Sequence, residues 1–288
     1  MAAETLITEA APAKINLYLH VTGRRDDGYH LLDSLVVFAD IGDRIAALPS
    51  ETISLAYSGP FSEDLPDPES NLVLKAARRL AEHFAIKKGA ALTLAKNLPV
   101  ASGIGGGSAD AAAVIRALIR LWALPADDPG IMEIALSLGA DVPVCLIGRP
   151  AVMRGIGEDL SLLTAFPTLP LVLVNPGVAV STPMVFKART GPFSCSLSWP
   201  ADADSADRAL KTLILAGNDL EAPATALSPE IGTVLASLEA EPGVRLARMS
   251  GSGATCFAIT DSEAAAQAAA QALQNKHPDW WVRHTSTF

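Results

Sequence analysis

Four glycines, Gly103, Gly105, Gly106 and Gly107, sit in the stretch Leu98-Pro-Val-Ala-Ser-Gly-Ile-Gly-Gly-Gly-Ser-Ala-Asp-Ala-Ala-Ala113, which runs straight into an alanine-rich helical sequence. Glycine reaches φ > 0 and lets backbone amides turn inward, and the unpaired amides of the next helix's first turn add positive field at the same point. The stretch therefore predicts a cradle for an anion, phosphate above all. Taken alone, a tight loop that only lets the helix pack closely fits equally well. Two other phosphate loops are excluded by spelling. A Walker loop ends in Gly-Lys-Ser/Thr, and no lysine lies between Lys96 and Lys187. A dinucleotide fingerprint read from Gly103 puts Ser108 at the third glycine. It also lacks the acidic residue about 20 positions on, since Asp127 and Asp128 follow Pro125 in a predicted loop, so a Rossmann-type oxidoreductase is disfavoured.

With 288 residues, the chain can form two domains or one large one around a substantial core. Half of its residues are apolar and its mean hydropathy is +0.30, which excludes a disordered chain. No apolar run approaches the roughly 18 residues needed to cross a bilayer. Residues 1–5, Met-Ala-Ala-Glu-Thr, lack the plan of a signal peptide, and a cytoplasmic location is expected. Cys145, Cys195 and Cys256 are odd in number and widely spaced, so buried reduced thiols are expected rather than a disulfide framework or a zinc site. A formal net charge of −9 disfavours nucleic acid and anionic membranes as partners. A phosphorylated substrate would then be held by a few local cations and backbone amides.

Residues 13–21 alternate as a strand, residues 23–28 form a turn-rich loop, and strands are expected at 33–38, 44–48 and 91–95. Helical periodicity covers 71–84, with Ser70 as N-cap, then 109–121 and 129–138, the last ended by Gly139. In the second half, strands at 171–174, 245–249 and 256–259 alternate with helices at 209–216, 230–239 and 263–275. Residues 190–207, rich in Gly, Pro, Ser and Asp, read as a long surface loop or flexible connection. Mixed strands and helices give an α+β or α/β class, with a domain boundary near 150–165.

Three separated segments raise the phosphate reading: Pro12-Ala-Lys-Ile-Asn-Leu17, the glycine-rich loop, and Met249-Ser-Gly-Ser-Gly-Ala-Thr-Cys-Phe257. Together they resemble the GHMP kinase superfamily, whose members phosphorylate small alcohols with ATP. Gly23-Arg-Arg-Asp-Asp-Gly-Tyr-His30, Leu138-Gly-Ala-Asp-Val-Pro-Val144 and Thr182-Pro-Met-Val-Phe-Lys187 narrow the resemblance to the branch acting on a cytidine diphosphate-linked methylerythritol. The similarity runs from about Ala11 to Phe257. It implies an α+β GHMP kinase fold, with a ribosomal-protein-S5-like ATP-binding domain over 1–160 and a ferredoxin-like domain over 161–288. It also implies ATP with Mg²⁺, a small-molecule acceptor, and a monomer or weak homodimer. Kinases for homoserine or mevalonate, and a catalytically silent nucleotide or sugar sensor, are the alternatives; the retention of Lys14 and Asp141 counts against the sensor.

Phosphoryl transfer to an alcohol needs a proton acceptor, alignment, and stabilisation of charge on the phosphoryl oxygens. Asp141, a carboxylate interrupting apolar sequence, fits an N-cap or turn by itself; the resemblance makes it the catalytic base, with Lys14 as its catalytic partner. The resemblance further implies that Gly103, Gly105, Gly106, Gly107 and Ser108 wrap the phosphates, with the Ser108 hydroxyl offered to phosphate or Mg²⁺. Pro99, Asn71 and Lys96 would lie near the nucleotide. Asp110 reads best as a stabiliser of the helix dipole. Ala101, Ser102 and Ala109 depart from the family, which often has glycines at the first two positions and serine at the third. For the acceptor, Tyr29 and Phe186 are expected to stack on cytosine from opposite sides while His30 reads its polar edge. Asn16 and Thr182 are expected at the polyol or diphosphate, and Gly251, Ser252 and Gly253 form a second glycine-rich turn. Arg24, Arg25 and Lys187 read as solvated.

Overall fold

The strand expected at Ala13 to Val21 runs from Ile7 to Arg24, and the buried Ile7 and Ala11 carry its inward-facing set toward the N-terminus. The computed structural model describes residues 6–200 and 203–288, so the expectations for residues 1–5 and for 201–202 of the polar stretch lie outside the described residues. In chain order the elements begin with strands β1 (Ile7–Arg24), β2 (His30–Ser50) and β3 (Ile53–Ser58), helix α1 (Leu72–His83), strand β4 (Gly89–Ala95), and helices α2 (Gly106–Trp122), α3 (Pro129–Leu138) and α4 (Val142–Ile147). Strands β5 (Ala151–Gly155), β6 (Asp159–Leu162) and β7 (Pro170–Asn175) follow, then helices α5 (Thr182–Ala188), α6 (Ala206–Leu215), α7 (Glu221–Leu227) and α8 (Glu230–Glu239). The chain closes with β8 (Val244–Met249), β9 (Cys256–Thr260), α9 (Glu263–Lys276) and β10 (Trp281–Ser286).

These elements divide into two compact units whose residues alternate along the chain. The first holds residues up to 13, Ile41–Val100 and Gly105–Gly148; the second holds Lys14–Asp40, Ala101–Ile104 and Arg149–Phe288. In the first unit, β4 pairs parallel with β3 and antiparallel with the second half of β2, from Arg44↔Ala95 to Ser50↔Gly89. Helix α1 packs on α2 and α3, and α2 on α4. Ala111, Ala112, Ala113 and Ala117 are fully buried, and such short side chains let neighbouring helices come close. Asn71, not Ser70, caps α1: its side chain accepts from the Val73 amide, while Ser70 ends a preceding 3₁₀ turn at Pro68–Ser70.

In the second unit, β7, β8, β9 and β10 form an antiparallel sheet in the order β10-β7-β9-β8. With helices between β7 and β8 and between β9 and β10, this is the ferredoxin-like β-α-β-β-α-β arrangement. Leu19 and Val21 of β1 join its core beside Val172, Val174, Val234 and Leu273. The first half of β2 pairs with β5, and β5 with β6. The expected loop at 23–28 is the hairpin turn between β1 and β2, closed by Arg25 N–H to the Tyr29 carbonyl at 2.7 Å. Within the polar stretch, the Ser194 amide bonds to the Val21 carbonyl at 3.0 Å and the Leu197 amide to Asp33 at 2.9 Å, which ties these two positions to β1 and β2. Cys145 and Cys256 are buried as expected, but Cys195 is exposed because it belongs to this loop. No helix among the described residues is long and apolar enough to cross a membrane.

Candidate active-site residues

In the first unit, α2 begins earlier than its alanines suggest. Gly105 is the N-cap, in the left-handed region at φ 65, and the first intrahelical bond runs from Ala109 N–H to the Gly105 carbonyl at 2.8 Å. Gly106, Gly107 and Ser108 are thus the first helical turn, and their amides precede that first bond. No side chain caps this end. Unpaired amides and the positive end of the helix dipole at one exposed point suit a polyanion.

Around that turn, Asn71 is buried, capping α1 and donating from Nδ2 to the Tyr57 hydroxyl at 3.0 Å, while Pro99 is buried between β4 and α2. Lys96 is 2% exposed, and its ammonium donates to Asp43 and Asp110, so the side chain expected near the nucleoside is committed to two carboxylates. Asp110 is not the first-turn acid expected at the helix dipole, because α2 begins at Gly106 and puts Asp110 beyond that turn. Its Oδ1 is buried without a hydrogen-bond partner, and burial pushes its carboxyl up to about 7 despite Lys96. Asp141 stands at the N-cap of α4, yet its side chain makes no capping bond to that helix.

In the second unit, alternation along β1 puts Lys14, Asn16 and Tyr18 on one face. Lys14 Nζ donates to Asn16 Oδ1 at 2.9 Å, Asn16 Nδ2 to Ser34 Oγ at 2.8 Å, and Ser34 Oγ to the Tyr18 carbonyl at 2.6 Å. Lys14 is 4% exposed and Asn16 1%, and a buried ammonium requires such partners. The second glycine-rich turn joins this network: the Asn16 amide donates to Ser250 Oγ at 3.1 Å, and Ser250 Oγ to the Gly103 carbonyl at 3.1 Å. Gly103 has φ +76, and a Cβ there would lie 2.5 Å from the Gly253 carbonyl oxygen, so only glycine fits. Thr182 and Ser252 hydroxyls lie 2.7 Å apart, and Gly251 lies beside Asn16. Ser250, Asn218 and Ser34 escaped the sequence reading because their partners are distant in sequence; Asn218 Nδ2, for example, donates to the Met249 and Gly251 carbonyls.

The rings expected at the acceptor base are arranged differently from the expectation. His30 stacks on Phe186, with centroids 5.0 Å apart and planes 22° from parallel, whereas Tyr29 is 63% exposed. The His30 pKa is lowered by burial and then by the Arg24 and Arg189 charges, which keeps the imidazole neutral at physiological pH. A neutral imidazole offers one donor and one acceptor, the equipment needed to read a base edge.

Comparison with known proteins places the chain in one family. The model of GHMP kinases N terminal domain matches residues 71–149, and that of GHMP kinases C terminal matches 202–279. A 4-diphosphocytidyl-2-C-methyl-D-erythritol kinase of Paramagnetospirillum magneticum is 54% identical over 94% of this chain and 95% of its own. One of Cereibacter sphaeroides is 56% identical over 96% and 98%. A crystal structure of 4-(cytidine 5'-diphospho)-2C-methyl-D-erythritol kinase superposes with a TM-score of 0.80 at 35% identity, covering 97% of this chain and 98% of that one. Homoserine kinase from Cytophaga hutchinsonii, at 20% identity and a TM-score of 0.77 over 100% and 96%, shares the fold. The chain belongs to the GHMP kinases, within the 4-diphosphocytidyl-2-C-methyl-D-erythritol kinase family.

Proposed function

We propose that this protein transfers the γ-phosphoryl group of ATP to the 2-hydroxyl of 4-diphosphocytidyl-2-C-methyl-D-erythritol, a step of the non-mevalonate isoprenoid route. The observation that carries the reading is the uncapped start of α2, with left-handed Gly105 ahead of the Gly106, Gly107 and Ser108 amides. It supplies the electrostatic stabilisation that phosphoryl transfer chiefly requires. Gly103, Asn71, Pro99 and Lys96 support the nucleotide side. The Ser108 hydroxyl would be offered to a phosphate or to a Mg²⁺ bound with it, and such an ion would supply charge neutralisation on the phosphoryl oxygens.

Asp141 accepts the acceptor's proton, and Lys14 supplies a positive charge that screens the phosphoryl oxygens. His30, Phe186 and Tyr29 hold cytosine, while Asn16, Thr182 and the Gly251–Gly253 turn hold the polyol diphosphate. The stacked His30–Phe186 pair favours this acceptor over homoserine or mevalonate, which carry no base to read.

ADP release with ATP and Mg²⁺ should be seen with 4-diphosphocytidyl-2-C-methyl-D-erythritol and not with homoserine, mevalonate or galactose. Turnover of one of the latter alone would overturn the acceptor assignment. Asp141→Asn should lower kcat about 100-fold or more while ATP affinity stays near wild type, in line with the usual worth of a general base. Wild-type turnover in that variant would remove Asp141 from the chemistry.

A further inference from the structure

One buried charge cluster of the first unit contains two carboxylates, Asp43 and Asp110, that have no task in phosphoryl transfer as described. Lys96 follows the end of β4, Asp43 lies in β2, and Asp110 lies near the start of α2; their side chains are 3%, 0% and 3% exposed. Lys96 Nζ donates to Asp43 Oδ2 at 2.5 Å and to Asp110 Oδ2 at 2.8 Å. The other oxygen of Asp43 accepts two backbone amides, Asn97 at 2.5 Å and Leu98 at 2.9 Å. Those amides belong to the chain where it leaves β4 for the glycine-rich loop. Lys96 passes close under the start of α2, since a Cβ on Gly106 would lie only 3.0 Å from Nζ.

Two carboxylates and one ammonium out of water are costly unless their lone pairs are used, and hydrogen bonds to charged groups are the strong ones. Asp43 makes three of them, and they connect two pieces of chain. One carboxylate therefore fixes the residues entering the loop directly and the helix leaving it through Lys96. Ordering a glycine-rich loop costs conformational entropy, and tying its ends in advance removes part of that cost from ligand binding.

We propose that Asp43 is the positioning residue of the phosphate loop, holding Asn97 and Leu98 at one end and, through Lys96 and Asp110, the first turns of α2 at the other, so that the Gly106–Ser108 amides are preset for a polyphosphate. The inference rests on the reading of this loop as the ATP site. Its structural half does not need ATP, and that separates the two.

The test compares wild type with Asp43→Ala, which loses all three bonds, and Asp43→Asn, which retains an oxygen for the two amides but loses the charge facing Lys96. Backbone hydrogen exchange of residues 97–109 without nucleotide, and ATP and acceptor affinities by calorimetry, are measured where each variant is folded by circular dichroism. Asp43→Ala should speed exchange in 97–109 at least tenfold over the rest of the first unit and weaken ATP binding about tenfold or more, with acceptor affinity unchanged. Asp43→Asn should give a smaller loss of ATP affinity, roughly threefold. Unchanged exchange and ATP affinity, whatever happens to the melting temperature, would overturn the proposal. Should Asp43→Ala fail to fold, Asp43→Asn decides alone, and wild-type ATP affinity in it would be the overturning result. A wild type that binds no ATP would overturn the reading of the loop, while exchange in 97–109 still reports whether Asp43 holds it.

Discussion

Aromatic residues are scarce here, 5% of the chain, so a histidine laid on a phenylalanine near a hairpin turn carries information. Phe186 is half-buried and packs against the core of the second unit as well as on His30. Its ring withdraws the imidazole from water, and withdrawal disfavours the charged form, the first cause of the lowered His30 pKa. The sign of a test follows. Removing the ring in Phe186→Ala should let the His30 pKa rise toward its ordinary value, because burial relaxes while Arg24 and Arg189 remain, and NMR titration of the histidine would follow it. Acceptor KM should rise about tenfold, the order of one base–aromatic stack, with ATP KM unchanged. Equal changes in both constants, or a static His30 pKa, would reduce Phe186 to packing.

Helices such as α3 and α8 were readable because their apolar spacing and end signals agree, and both match the expected 129–138 and 230–239. Strand β2 was not. Separate strands are expected at 33–38 and 44–48, yet the chain runs on through Asp40, Gly42 and Asp43, where Asp43 finds Lys96 and two amides more than 50 positions away. The start of α2 was missed for the opposite reason: glycine disfavours helix interiors, but in a first turn Gly106 leaves room for Lys96. Two glycines of the same motif should therefore respond differently to alanine. Gly103→Ala puts a methyl within 2.8 Å of three backbone atoms at positive φ, and its melting temperature should fall by the equivalent of about 2–4 kcal/mol. Gly107→Ala meets only Leu72 Cδ1 at 3.8 Å and should melt at or above wild type, since alanine is the better helix former. Similar melting of both variants would mean that the cradle's rigidity does not depend on Gly103.

Composition and motif spacing gave the mixed α and β class and the glycine-rich loop, and the family resemblance gave the proposed site residues, but neither gave how the parts are distributed along the sequence. Residues 14–40 belong to the same compact unit as 149–288, so the second unit is assembled from both ends of the chain. Leu19 and Val21 contribute to its core, and the buried Arg248 of β8 donates to the Leu17 carbonyl at 2.7 Å, across 231 positions, and to the Leu213 and Ala216 carbonyls. Such pairings are invisible to local patterns, because neither partner's neighbourhood records the other. A fragment beginning at residue 161 would leave Val172, Val174 and Leu273 without two of their apolar neighbours and Arg248 short of one acceptor, a buried guanidinium only partly satisfied. The fragment 161–288 alone should therefore show no cooperative thermal transition, whereas mixing or co-expressing it with 1–160 should restore one, together with kinase activity. A sharp transition in the isolated fragment would mean that the ferredoxin-like sheet and its helices hold themselves together, and that β1 is an addition to that unit rather than part of its core.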